Sequence, residues 1–397
     1  MPTPVNFPAA ALDLMLSRLR PLATERVPLH QGAGRILAEP ITADRDSPAI
    51  DVSAMDGYSI RLADLAAGSL PIAGEVRIGA TPPPQPTAAA LRIVTGAPIP
   101  PGAEAVIKRE DVEELPDRIN LSPAALAAKP GTNIRRRAEN AAAGKRIASS
   151  GILITAPIAA ALASFGIATP LVFRRVRIGI LTTGDEVLDV SDSPKPWQLR
   201  DSNGPALATF LSTHAWAEVA APRTSRDDPV ALRDSFHTLL RTSDAVIATG
   251  GVSMGDRDFI PQVIRNLGAE VLFHKVPQRP GRPILGASLP DGRPIFGLPG
   301  NPLSVMVTAR RIVLPTLERF AGLAANPPRL LAHLENPDDR RLDLWWHCSV
   351  RLTSPGTATL VDVASSGDVA SAASGDGFVE IPPNQGGPGP WPYYSWS

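Results

Sequence analysis

Three apolar runs, each closing on a short loop, do most to limit what this chain can fold into. RVRIGIL at 175–181 ends in Thr182-Thr183-Gly184-Asp185-Glu186, and SDAVIAT at 243–249 ends in Gly250-Gly251-Val252-Ser253-Met254-Gly255-Asp256-Arg257-Asp258. RPIFGL at 293–298 ends in Pro299-Gly300-Asn301-Pro302 and continues into the helical stretch LSVMVTARRIVLPTLERF. Runs that stay apolar without alternating are strands buried on both faces, so the pattern predicts a parallel α/β sheet over 176–320. In such a sheet, ligands bind in the crevice beyond the carboxyl ends of the strands, which is where these loops fall.

The rest of the chain has a different texture. Residues 8–20 repeat apolar side chains at helical spacing and stop at a proline, which predicts a first helix. From 51 to 137 come short β-type runs such as Tyr58–Arg61, Val76–Ile78 and Ala105–Lys108, separated by PPPQP and PIPPG, which predict a small inserted β module. Its flanks, 23–50 and 138–173, are expected to pack together as one discontinuous domain. LDLWWHCSVRL, ATLVDV and GFVEIP predict a β module over 323–397, with PGPWPYYSWS as a frayed tail.

Composition removes several function classes. With 39 basic and 39 acidic side chains the net charge is zero, so charge chemistry must be local and a basic nucleic-acid binder does not fit. A single cysteine, Cys348, excludes a disulfide framework and a multi-cysteine zinc site, and a reducing, cytoplasmic setting is expected. The N-terminus reads as an amphipathic helix rather than a signal peptide. Gly151–Phe173 is uncharged, but Pro157, Gly166 and Pro170 leave room only for a short helix, so a membrane span is not expected. No Walker A, GxGxxG or HExxH pattern occurs.

The loops supply candidate chemistry. The 182–186 loop offers hydroxyls, a glycine and two adjacent carboxylates, or is a tight turn with a helix-capping Asp185. The 250–258 loop has backbone N–H groups suited to phosphate and carboxylates suited to Mg²⁺. Asn301 and Pro302 read as N-cap and first helical residue, an arrangement that also suits an anion. Between these loops, Lys275, Arg279 and Arg282 sit among prolines and point to an oxyanion site over a solvated basic loop.

Taken in order, SAMDGY (53–58), TGAP (95–98), GTNIRRR (131–137), TTGDE, DSN (201–203), RDDP (226–229), GGVSMGDRD, RPGRP (279–283) and GLPGNPLS (297–304) resemble the MoeA family of molybdopterin molybdenumtransferases and the E domain of gephyrin. The resemblance covers nearly the whole chain. It implies a multidomain α/β plus β protein: an N-terminal helix (1–22) packing on the α/β domain, a discontinuous linking domain (23–50 and 138–173), an inserted β module (51–137), a MogA-like molybdopterin-binding α/β domain (174–322) and a C-terminal β-barrel (323–397). It further implies a homodimer and a reaction in which adenylylated molybdopterin and molybdate, with Mg²⁺, give metal-loaded cofactor and AMP.

Carried over by position, the resemblance makes Asp56, Thr95, Glu186, Asp227 and Asp258 catalytic, with Glu186, Asp227 and Asp258 as Mg²⁺ ligands. It assigns substrate binding to Thr183, Gly184, Asp185, Gly250, Gly251, Ser253, Lys275, Arg279, Arg282, Pro299, Gly300, Asn301, Pro302 and Ser366. A molybdopterin adenylyltransferase is an implied partner, and neither nucleic acid nor membrane is.

The chain departs from the family pattern in places. Arginine replaces the usual lysine at 279 and 282. Asn140 stands for a carboxylate, and Trp346 for an arginine near molybdate, a loss that Arg351 or another nearby cation would have to make good. These departures keep open a non-catalytic molybdopterin-binding scaffold as an alternative. An adenylyltransferase would need only the α/β domain.

Overall fold

The structure, a computed structural model, describes residues 4–253, 258–324, 328 and 330–396. The chain forms two compact units: 1–39, 149–160 and 168–397 make one, and 40–148 with 161–167 make the other.

The first unit is organised by a seven-stranded sheet. Val176–Thr183 lies between Ala217–Val219 and Ala245–Thr249, with Arg223–Ser225 on its C-terminal half, and Pro294–Leu298 follows Ala245–Thr249, all parallel. Along one strand, Ala245 and Ile247 enter one core while Val246 and Ala248 enter the other. That is why the strand reads as one unbroken apolar run.

The sheet is not parallel throughout, which corrects the expectation. Leu285–Ser288 pairs antiparallel with both Pro294–Leu298 and Glu270–His274. The connections at 275–284 and 289–293 are too short for the crossover that parallel neighbours need.

Helices cover both faces: Asn203–Ser212 and the run Pro302–Phe320 on one, Pro229–Leu240 and Ile260–Asn266 on the other. The long run widens into a π-turn at Ala309–Val313, just before Pro315, whose ring nitrogen cannot donate to the carbonyl four residues back. The first helix is Pro8–Leu16, shorter than the expected 8–20, and packs Ala11 and Met15 into the sheet core. Ser17 ends it, its hydroxyl donating to the Leu14 carbonyl.

The C-terminal strands Leu330–Leu334, Trp345–Ser354, Thr357–Leu360, Gly377–Ile381 and Trp391–Ser395 close into a five-stranded barrel. The expected frayed tail is thus its closing strand. Trp391–Ser395 pairs with two neighbours, buries Tyr393 and removes the open edges. Gln278–Arg279 adds to the barrel wall beside Trp345 and Trp346.

The second unit is a six-stranded sheet in the order Ala105–Lys108, Gly57–Ile60, Ala90–Ile93, Ser69–Glu75, Arg118–Leu121, Val112–Glu114. Tyr58, Ile60, Leu70, Ile107 and Ile119 fill its core. The strand expected at Val76–Ile78 ends instead at Glu75. Among the described residues no helix is long and apolar enough to cross a membrane, and Gly151–Phe173 holds the short helix Ala156–Ser164 and the strand Leu171–Phe173.

Candidate active site

Strand register brings the three loops together. Thr182 pairs with Thr249, and Thr249 with Leu298, so the three strands end side by side. They open on a cavity of about 570 Å³ whose lining includes Thr183, Glu186, Asp227, Gly250, Gly251, Ser253, Asp258 and Pro299–Pro302. Gly250 has φ +85°, and a Cβ there would lie 2.7 Å from the Thr183 carbonyl oxygen, so only glycine lets the two loops meet. Met254–Arg257 of the second loop lie outside the described residues.

The carboxylates are held in distinct ways. Burial lifts the Asp227 carboxyl above its usual range, the charges of Glu186 and Asp185 add to that, and the Thr183 hydroxyl opposes it. Asp228 next to it is structural: its side chain accepts from the Val230 and Ala231 N–H groups and caps Pro229–Leu240. Asp185 caps no helix. It accepts from the Asp227 N–H, outside the cavity lining, as is Gly184.

The 201–203 segment does more than its sequence suggested. Asp201 accepts from the backbone N–H groups of Asn203 and Gly204, and Asn203 donates 2.8 Å to the Gly300 carbonyl, tying one crevice wall to the third loop. The Thr182 hydroxyl and the Asn203 Oδ1 are buried without a partner among the described residues and line the same cavity, where a ligand or water would satisfy them.

Among the described residues no three His, Cys, Asp or Glu side chains gather as a metal site. Mg²⁺ does not need such a cage, since one or two carboxylates plus substrate phosphates and water suffice; Glu186, Asp227 and Asp258 each line this cavity.

A second cavity, about 830 Å³, adjoins the first and shares Pro283, Pro299 and Asn301 with it. Its wall carries Arg279, Arg282 and Arg340. Asn301 does not cap its helix with its side chain; it donates 2.7 Å to the Ser366 hydroxyl, fixing the third loop to the barrel loop 364–368. Gln278 Oε1, His347 Nδ1 and Ser349 Oγ are buried and unpartnered among the described residues on this cavity.

Beneath lies a buried ionic cluster. Glu380 accepts from Arg311 at 2.6 Å and lies 3.1 Å from His347 Nε2. Against the cost of burial, these partners hold the Glu380 carboxyl down at about 2, while desolvation lowers His347 and keeps it neutral. Burial pushes the Cys348 thiol up, so it is an inert neighbour rather than a nucleophile.

Not every expected residue converges. Lys275 is exposed at φ +81° and lines neither cavity. Arg351 donates to the Ser374 carbonyl and lines neither. Asp56 and Thr95 belong to the second unit, where Asp56 Oδ1 accepts from both the Thr95 N–H and its hydroxyl, which lowers the Asp56 carboxyl. There too, Arg135 donates to Asn140 Oδ1 at 2.6 Å, while Arg136 and Arg137 pair with Asp51 and Asp46.

Two family models match: the MoeA N-terminal region (domain I and II) over 8–166 and a probable molybdopterin binding domain over 179–319. A molybdopterin molybdenumtransferase from Synechococcus elongatus is 33% identical over 392 residues, 95% of each chain, and one from Nostoc is 34% identical over 330 residues, 81% of this chain and 74% of that relative. Two crystal structures of the molybdopterin biosynthesis MoeA protein from Pyrococcus horikoshii match 99% of this chain and 100% of theirs, with TM-scores of 0.80 and 0.82 at 28% and 25% identity. On sequence and fold together, this chain belongs to the MoeA family of molybdopterin molybdenumtransferases.

Proposed function

We propose that this chain completes molybdenum cofactor biosynthesis by inserting molybdate into adenylylated molybdopterin and releasing AMP. The observation that carries the reading is the pair of adjoining cavities, one with an excess of carboxylates and one with an excess of arginines, meeting at Pro299 and Asn301.

In this reading the phosphates lie over Gly250, Gly251 and Ser253, where glycine backbone allows close approach. Glu186, Asp227 and Asp258 would supply the one or two carboxylates that hold Mg²⁺ with them. Bound there, Mg²⁺ would neutralise the pyrophosphate while a water oxygen bonds to the AMP phosphorus and the bridging oxygen leaves on the pterin phosphate, giving AMP and phosphorylated pterin. Thr183, Gly184 and Asp185 shape the loop that carries Glu186. Arg279 and Arg282 hold molybdate, with Lys275 as an outer cation, while Gly300, Asn301, Pro302 and Ser366 keep the shared wall in place.

The same reading includes a homodimer, in which Asp56 and Thr95 from a second copy complete the site, a molybdopterin adenylyltransferase as supplier of substrate, a cytoplasmic setting, and the five-part division of the chain given above. Purified protein incubated with adenylylated molybdopterin, Mg²⁺ and molybdate should yield metal-loaded pterin and AMP in equal amounts. Tight nucleotide binding with no metal-loaded product would overturn the reading in favour of a scaffold.

A further inference from the structure

We infer that Arg340, carried on the face of Trp346, is a binding residue for the tetrahedral oxyanion in the second cavity. The inference rests on the reading of that cavity as the molybdate site. Position 346 holds an indole, which brings no charge, yet the structure seats a charge on it: the Arg340 guanidinium carbon lies 4.9 Å from the Trp346 ring centroid, and both residues line the cavity. The electron-rich ring face attracts the cation and gives the long side chain a fixed support.

The support is itself fixed. Trp346 lies opposite Arg279 in the parallel strand pair and opposite Ile381 in the barrel. Register therefore sets the platform beside one of the two arginines already assigned to the anion. Asp338 accepts from Arg340 Nε at 2.8 Å and lies 2.6 Å from Nη2, which orients the guanidinium plane and leaves Nη1 with no hydrogen bond among the described residues. Planar N–H donors of this kind match an oxyanion better than a point charge does.

The carboxylates of Asp338 and Asp362 also line the cavity, so three guanidinium groups face two carboxylates, and without Arg340 the cationic excess is gone. The competing cations are otherwise engaged. Arg351 donates to the Ser374 carbonyl, and Arg341 to the carbonyls of Asp339 and Arg340, and neither lines the cavity.

The test is a calorimetric titration of the full chain with sodium molybdate, comparing wild type with Arg340→Ala, Arg340→Lys, Trp346→Ala, Arg351→Ala and the double variant Arg340→Ala with Trp346→Arg, each first confirmed folded by its melting curve. Arg340→Ala should weaken binding roughly ten- to a hundredfold, the expected loss of one charged hydrogen-bonding group. Arg340→Lys and Trp346→Ala should fall between it and wild type, Arg351→Ala should match wild type, and the double variant should regain most of the loss. Wild-type affinity in folded Arg340→Ala would overturn the role of Arg340 while leaving the molybdate reading intact. Absence of saturable binding in wild type would overturn both.

Discussion

The two cavities are neighbours of opposite character. The one at the strand ends is built from backbone: glycines close it, and its carboxylates stand on loops whose positions the parallel register dictates. The one beside the barrel is built from side chains: arginines, an indole platform and a buried ionic cluster beneath. A net charge of zero conceals two local excesses: Glu186, Asp201, Asp227 and Asp258 outnumber Arg200 on the first cavity, and Arg279, Arg282 and Arg340 outnumber Asp338 and Asp362 on the second. In the proposed reaction these excesses would let the first cavity hold a cation and the second an anion.

That division can be broken selectively. The largest expected effect is on the acidic side. Asp227→Asn or Glu186→Gln should lower single-turnover AMP release by about two to three orders of magnitude, yet leave molybdate affinity within twofold of wild type. A parallel loss of both would show that the cavities are not separable.

Next comes the floor of the basic cavity. Arg311→Met leaves Glu380 charged and buried without its main partner, and should cost about 3–5 kcal/mol in denaturant unfolding. Glu380 is held below its unfolded value of 4.5, at about 2, so its share of the stability is present above pH 4.5 and disappears as pH falls toward 2. The variant should therefore show a flatter stability profile over that window.

Gly281→Ala is a smaller perturbation. Its φ is +91° and a Cβ would stand 2.5 Å from the Thr308 methyl, so the loop between Arg279 and Arg282 must shift. A loss of about 1–3 kcal/mol is expected, with weaker molybdate binding and unchanged nucleotide binding. Equal loss of both ligands would contradict the division.

Asp227 gives a pH test with the opposite sign to Glu380. Its carboxyl is raised, so the folded state holds the proton more tightly and stability falls as pH rises from 3.8 through the raised value. Asp227→Asn should thus melt slightly higher than wild type at neutral pH while being far less active. Smallest of all, Asn140→Asp should change activity less than twofold, because Asn140 already accepts from Arg135 as a carboxylate would.

The acidic crevice was far more legible in the sequence than the basic cavity. A strand buried on both faces announces itself as an apolar run, and the loop at its end is where side chains must meet ligand. Neighbouring strands were less readable. The antiparallel edge at Leu285–Ser288 follows from connection length, a signal the apolar pattern masks, and the closing strand Trp391–Ser395 was hidden by Pro390 and Pro392, which read as tail residues.

The clamp made by 201–203 is not readable from DSN itself, because Asn203 reaches the Gly300 carbonyl across nearly a hundred positions of chain. Arg340 was invisible for a related reason. A cation six residues before Trp346 belongs to its ring face only once the chain turns back at 341–344, and no periodicity marks such a turn. An Asp338 with Arg340 two residues on was the one local cue.

The measurement that tests the central claim most directly is the molybdate dependence of AMP release in a single turnover, with Mg²⁺ and adenylylated molybdopterin bound. The account predicts that AMP release rises and saturates with molybdate, at a midpoint that shifts upward in Arg340→Ala and stays in place in Glu186→Gln as the rate collapses. AMP release of the same rate and extent with no molybdate present would contradict it.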